Sequence, residues 1–179
     1  METNIQLSSK ELIAVSKIIT FDIRTYLNNV YVTPNFICAS DGIHLCKVFC
    51  DTGVKENLLI PIETIKIWSK MVPKRFSESL LVIEHIADKT YSLKGGGVSL
   101  PFNVGEGTYP DVDKVIPTEF EKSNSKNRNF QWKLVAKLAE IFTELTGDKY
   151  PQPIFSKDDI GILAFKTDRV ILILMPLNL

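Results

Sequence analysis

The chain has 179 residues, is 45% hydrophobic and 23% charged, and sets 21 Lys plus Arg against 21 Asp plus Glu. Such a length buries a real core, the composition is not that of a disordered chain, and no apolar run reaches the roughly 18 residues of a membrane-spanning helix. With no net charge, any affinity for nucleic acid must come from how the charges are distributed.

The opening "METNIQLSSKELIAVSKI" has no basic stretch, long apolar segment or small-residue cleavage site, so a cytoplasmic protein is expected. Within it, "NIQLS" reads as a strand and "SSKELIAVSKIIT" (8–20) as a helix, with Ser8 or Ser9 as N-cap and Glu11 in the first turn. Three short strands follow, "NVYVT", "FICAS" and "HLCKVF", turned at Pro34-Asn35 and Asp41-Gly42. Cys38, Cys46 and Cys50 fall here, an odd set expected to be free thiols of a reducing compartment.

A strand over "NLLIP" then leads into a helix over 61–72, with Pro61 in its first position. The strands "SLLVIEH", "KTYSL" and "VSLPFNV" follow, separated by Ala87-Asp88 and by Gly95-Gly96-Gly97. After a strand over "TEFEK" and a polar linker at 121–129 comes a third helix over 129–145, capped by Asn129. It is followed by "QPIFS", "IGILAF" and "RVILILM". Strand, helix, three strands is thus written three times. Units too small to bury their own sheet face must stack, which predicts an α+β fold with helices on one face of an antiparallel sheet.

The helices carry lysines at helical spacing. Lys66, Lys70 and Lys74 are four apart, as are Lys133 and Lys137, while Lys10 and Lys17 lie two turns apart. Glu11, Glu63, Glu140 and Glu144 stand nearby, which suits a merely solvated surface; a lysine row can instead neutralise phosphates without reading bases. No chemistry is legible. His44, Cys46 and Cys50 do not make a four-ligand zinc pattern, "KGGGVS" lacks the ending of a phosphate-binding loop, and no nucleophile, base and orienter can be named. Neither an enzyme nor a metal or other cofactor is expected.

"RTYLNNVYVTPNFICASDGIHLCKVF" (24–49) resembles the stretch of the bacterial sliding clamp, the beta subunit of DNA polymerase III, that runs R-x-x-L-N-G, a strand, then A-T-D-G-H-R-L. "LLIPIETIKIWSKM" (58–71) is similar to its strand-to-helix junction, "VGEGTYPDVDKVIP" (104–117) to its "EGxFPDYxxVIP", and the terminal "LMPLNL" (174–179) to its "VMPMRL". These occur in the family's order. The resemblance implies the DNA-clamp processivity fold, with 1–117 similar to the complete middle domain and 118–179 to the C-terminal half of the last.

In that family a peptide-binding pocket lies where the middle domain meets the last. Carried over, it would comprise Leu27, Ser40, Gly42, Ile43, His44, Leu45 and Pro117 on one side and Ile173, Leu174, Met175, Pro176 and Leu177 on the other. The family's "TDGHR" is "SDGIH" here, and Asn178 replaces an Arg, so the specificity of the pocket is expected to differ. Lys10, Lys17, Arg24, Lys66, Lys70, Lys74, Lys133 and Lys137 would face DNA. The expected partners are sequence-independent duplex DNA, polymerase and clamp-loader peptides, and further copies of the chain. The family ring has twelve repeat units, so three per chain imply a tetramer, with a dimer of different geometry as the competing solution. The alternative is a clamp-like decoy that takes polymerase peptides without encircling DNA. The short length points to a phage or mobile element.

Overall fold

The computed structural model describes residues 7–76 and 78–177, apart from the Lys74 side chain. Helix α1 is Ser9–Ser16, opened by a capping box: Ser8 Oγ accepts from the Glu11 N–H at 3.1 Å, and Glu11 Oε2 accepts from the Ser8 N–H at 3.0 Å. It stops short of the expected residue 20, because the β-branched run Ile18-Ile19-Thr20 is a poor continuation. Ser8→Ala should cost about 1 kcal/mol, read as a lower urea midpoint with an unchanged slope.

Helix α2 is Ile62–Met71, and Pro61 is its N-cap rather than its first residue, being also the last residue of a strand. Pro73 lies just past its end, so Lys74 sits in a separate 3-10 turn, Lys74–Phe76, and does not extend the lysine row of the helix. Helix α3 is Trp132–Thr146, with Gln131 in the N-cap position making no side-chain cap, and is closed by Gly147 at φ 77°. The expected cap, Asn129, is used differently: its carbonyl accepts the Leu177 N–H at 2.9 Å.

The strands are β1 (Asn29–Val32), β2 (Phe36–Ser40), β3 (His44–Phe49), β4 (Leu58–Pro61), β5 (Val82–Ala87), β6 (Thr90–Gly95), β7 (Val98–Asn103), β8 (Phe120–Glu121), β9 (Ile154–Ser156), β10 (Leu163–Lys166) and β11 (Val170–Leu174). They form an eight-stranded sheet in the order β4-β1-β2-β3-β11-β10-β9-β8 and a three-stranded sheet β5-β6-β7, with every pairing antiparallel. The first two units exchange their leading strands. β4, which enters α2, pairs with β1, whereas Leu7 and Ser8 pair beside β5 through Leu80 and Leu81. The rest of the expected "NIQLS" strand lies outside the described residues. The third unit pairs β8 with its own β9.

Alternation along the central strands buries both faces of the large sheet. Val170, Leu172 and Leu174 join Cys46, Val48, Leu12, Trp68, Leu138 and Phe142 in a core beneath the helices, where α1 packs against both α2 and α3. Ile171 and Ile173 face the other way, joining Leu27, Cys38, Leu45 and Leu59 in a second core covered by Tyr109 and Val112. The apolar C-terminal run is therefore buried on two sides. All three cysteines are free and buried, and burial pushes the Cys38 and Cys50 thiols up to about 12, which keeps them unreactive at neutral pH.

Candidate functional site

A cleft of about 250 Å³ opens on the face of the sheet away from the helices, at the junction of β3 and β11. Its floor is apolar: Leu45 and Ile173 from the sheet and Leu27 from the 3-10 turn Thr25–Asn28 are each no more than 3% exposed. One wall is the β2–β3 turn with Ser40, Gly42, Ile43 and His44; the other is Pro110, Asp111, Val112 and Val115, with Met175 from the C-terminal tail and Tyr26 closing the ends. Ile43 and Val115 stand on the rim, 51% and 48% exposed.

Two anchors hold these walls. In the β2–β3 turn, Asp41 Oδ1 accepts from the N–H groups of Ile43 and His44 at 3.0 and 2.7 Å, while the His44 Nδ1–H donates to Oδ2 at 2.9 Å. Burial pushes the Asp41 carboxyl up, but these hydrogen bonds together outweigh it and leave the group below its ordinary 3.8. A carboxylate with a depressed pKa adds stability that is complete above the ordinary value and is lost as pH falls through the depressed one. Asp41→Asn should therefore lower stability at pH 7 and flatten the loss of stability below about pH 4, measured by urea midpoints across pH.

The opposite wall is fastened by Lys47, whose side chain is 2% exposed. Its Nζ lies 3.9 Å from the Phe36 ring centroid and 4.8 Å from that of Phe49, and donates to Asp113 Oδ1 at 2.5 Å. A buried ammonium needs such a partner, and Asp113 belongs to the 3-10 turn Val112–Lys114 that forms the wall. Tyr109, stacked on Tyr31 at 4.9 Å between centroids, pins the same segment to the sheet, and burial pushes its hydroxyl pKa up.

The structure gathers Leu27, Ser40, Gly42, Ile43, His44, Leu45, Ile173 and Met175 around the cleft. The remaining residues inferred for the pocket lie elsewhere. Leu174 points into the helix-side core, Pro117 follows the wall without lining the cleft, and Pro176 and Leu177 border a separate depression with Asn127, Arg128, Asn129, Asp159 and Ile160. Sequence reasoning missed Tyr26, Pro110, Asp111, Val112 and Val115, although "GTYPDVDKVIP" contained all but Tyr26 and was used only for Pro117.

Arg24, expected to face DNA, borders the cleft: its Nε and Nη2 donate to Asp22 Oδ1 and Oδ2 at 2.9 and 2.6 Å, and the Arg24 hydrogen bonds hold the Asp22 carboxyl at about 2. The helix lysines are partly committed within the protein. Lys10 pairs with Glu78 at 3.3 Å, Lys17 with Glu144 at 2.5 Å and Lys66 with Glu63 at 2.6 Å. Lys137 Nζ reaches the Ile18 carbonyl at 3.5 Å, and Lys70 and Lys133 are exposed without an ion pair among the described residues.

No protein-family model matches the sequence, and no curated protein matches it. Solved structures do. The sliding clamp of Pseudomonas aeruginosa matches with a TM-score of 0.68 and 14% identity over 97% of this chain and 65% of that one. The DNA polymerase III beta subunit of Borrelia burgdorferi matches with a TM-score of 0.65 and 13% identity over 97% and 62%, and that of Thermotoga maritima with 0.64 and 12% over 98% and 64%.

The chain has the sliding-clamp fold.

It spans less than two thirds of the length of the clamp chains it matches. No helix among the described residues is long and apolar enough to cross a membrane.

Proposed function

We propose that the protein is a DNA sliding clamp: copies of the chain assemble into a ring around duplex DNA and tether a polymerase or other replication or repair protein through a peptide held in the cleft. The cleft at the β3–β11 junction carries this reading, because a groove with a buried apolar floor and apolar rim residues is suited to the side chains of an extended peptide. Two buried Leu or Phe side chains would contribute roughly 1.5–3 kcal/mol each before association costs, which suits exchangeable partners. A ring acts by topology, so no bond is made or broken. The boundaries 1–117 and 118–179 then correspond to one clamp domain and half of another.

The direct test is retention on closed circular DNA, released when the circle is cut. Charge reversal at Lys70 and Lys137 is expected to weaken that retention at low salt by several-fold, since each lost phosphate contact removes a counterion-release contribution. Unchanged retention takes these residues out of the DNA path.

One observation favours a decoy that binds polymerase peptides without encircling DNA. Glu78, Glu144 and Glu63 neutralise three of the helix lysines, and the chain has no net positive charge. Peptide binding with no topological retention would select it.

A further inference from the structure

Each repeat unit ends in a last strand: β3, β7 and β11. Two of these cover each other. β3 and β11 pair antiparallel from Val48 opposite Val170 to His44 opposite Leu174, so the joint is made between equivalent edges related by a local two-fold. β7 is the third. It pairs with β6 on one side, and no strand among the described residues pairs with its outer edge. An edge of this kind is complementary to another last strand, and among the described residues no other last strand is free.

We propose that the outer edge of β7 is a self-complementary interface that receives the β7 of a second copy of this chain, antiparallel about a two-fold axis. The inference deepens the self-assembly reading above and rests on it. Exposed sheet edges are usually protected by charge, and Val98–Asn103 carries no charged side chain, with Val98 and Leu100 only half-buried. The Gly96-Gly97 turn, at φ 56° and 77°, closes the hairpin on the Gly95–Val98 pair. Alternation along the ladder then turns the backbone groups of Ser99, Pro101 and Asn103 outward.

Pro101 has no N–H, which discourages a ladder in arbitrary register. One register turns this to use. With Ser99 of one copy opposite Asn103 of the other, every outward donor is paired, and the two prolines meet on the axis, where no donor is available from either side. An axis normal to the sheet keeps the helices of both copies on one face of the joined sheet and their clefts on the other.

The test combines light scattering across a concentration series with cysteine crosslinking. The full chain is expected to run as two or more copies, Pro101→Cys to crosslink into a dimer under mild oxidation, and Ser99→Pro to halve the mass at matched concentration. Ser99→Pro removes an N–H that bonds nothing among the described residues, together with the hydroxyl that pairs with Ser92 Oγ at 3.0 Å; if circular dichroism shows it misfolded, the crosslink decides. A native oligomer whose mass Ser99→Pro leaves unchanged, and in which single cysteines at 99, 101 and 103 give no dimer, overturns the β7 assignment while self-assembly stands. A monomer of 20.2 kDa at every concentration overturns both.

Discussion

Leu172→Ala is expected to destabilise the protein by about 2–5 kcal/mol, seen as a lower urea midpoint. Leu172 is 0% exposed and sits opposite Cys46 on β3 and Phe165 on β10, beneath the helices. Its side chain therefore lies in the layer where the third unit is joined to the first. Among the described residues the pairing of β11 with β3 is the only sheet contact between those units, so a cavity there weakens the joint and the α1–α3 packing together. Leu177→Ala removes the same atoms from a site that is 46% exposed and should cost well under half as much. Equal losses in the two variants would mean that the joint contributes nothing special. A Leu172→Ala transition that splits in two would show the third unit opening before the rest.

The succession of elements was legible because period and punctuation agreed: a helical stripe after Ser8, Pro61 at a strand-to-helix corner, and glycines at φ 56° and 77° where a tight hairpin turn needs them. The exchange of leading strands was not. "NLLIP" reads as a strand whichever neighbour it joins, and whether β4 pairs with β1 or β5 is set by how α1 and α2 pack. Helix ends also moved where tertiary contacts took a backbone group, as at Asn129.

Half of the cleft was legible for a similar reason. A tight turn such as "SDGIH" holds its side chains close together whatever surrounds it, so Ser40 to Leu45 arrive as a group. The opposite wall depends on Lys47 reaching Asp113 across 66 positions of sequence, which no local pattern announces. Strand alternation sorts the tail: Ile173 faces the cleft and Leu174 the helices, a distinction visible only once the register against β3 is known.

The rim of the cleft separates binding from folding. Ile43→Glu and Val115→Glu alter residues that are 51% and 48% exposed, so stability should change by no more than about 0.5 kcal/mol. Peptide affinity is expected to fall at least tenfold in each, because an apolar contact is lost and a carboxylate must shed water against the apolar side chain of the ligand. Tenfold corresponds to about 1.4 kcal/mol, less than the roughly 1.5–3 kcal/mol of one fully buried anchor, so the loss is within reach of a single rim contact. Fluorescence anisotropy with a labelled peptide carrying two adjacent large apolar side chains from a clamp-binding polymerase measures it. Val82→Glu, on β5 and 39% exposed, adds the same charge without touching the cleft and should leave affinity unchanged. If Val82→Glu weakens binding as much as the rim variants do, the effect is one of net charge on an anionic probe. If none of the three weakens it, the peptide binds elsewhere, and the two walls fixed by Asp41 and Lys47 serve only to close the second core.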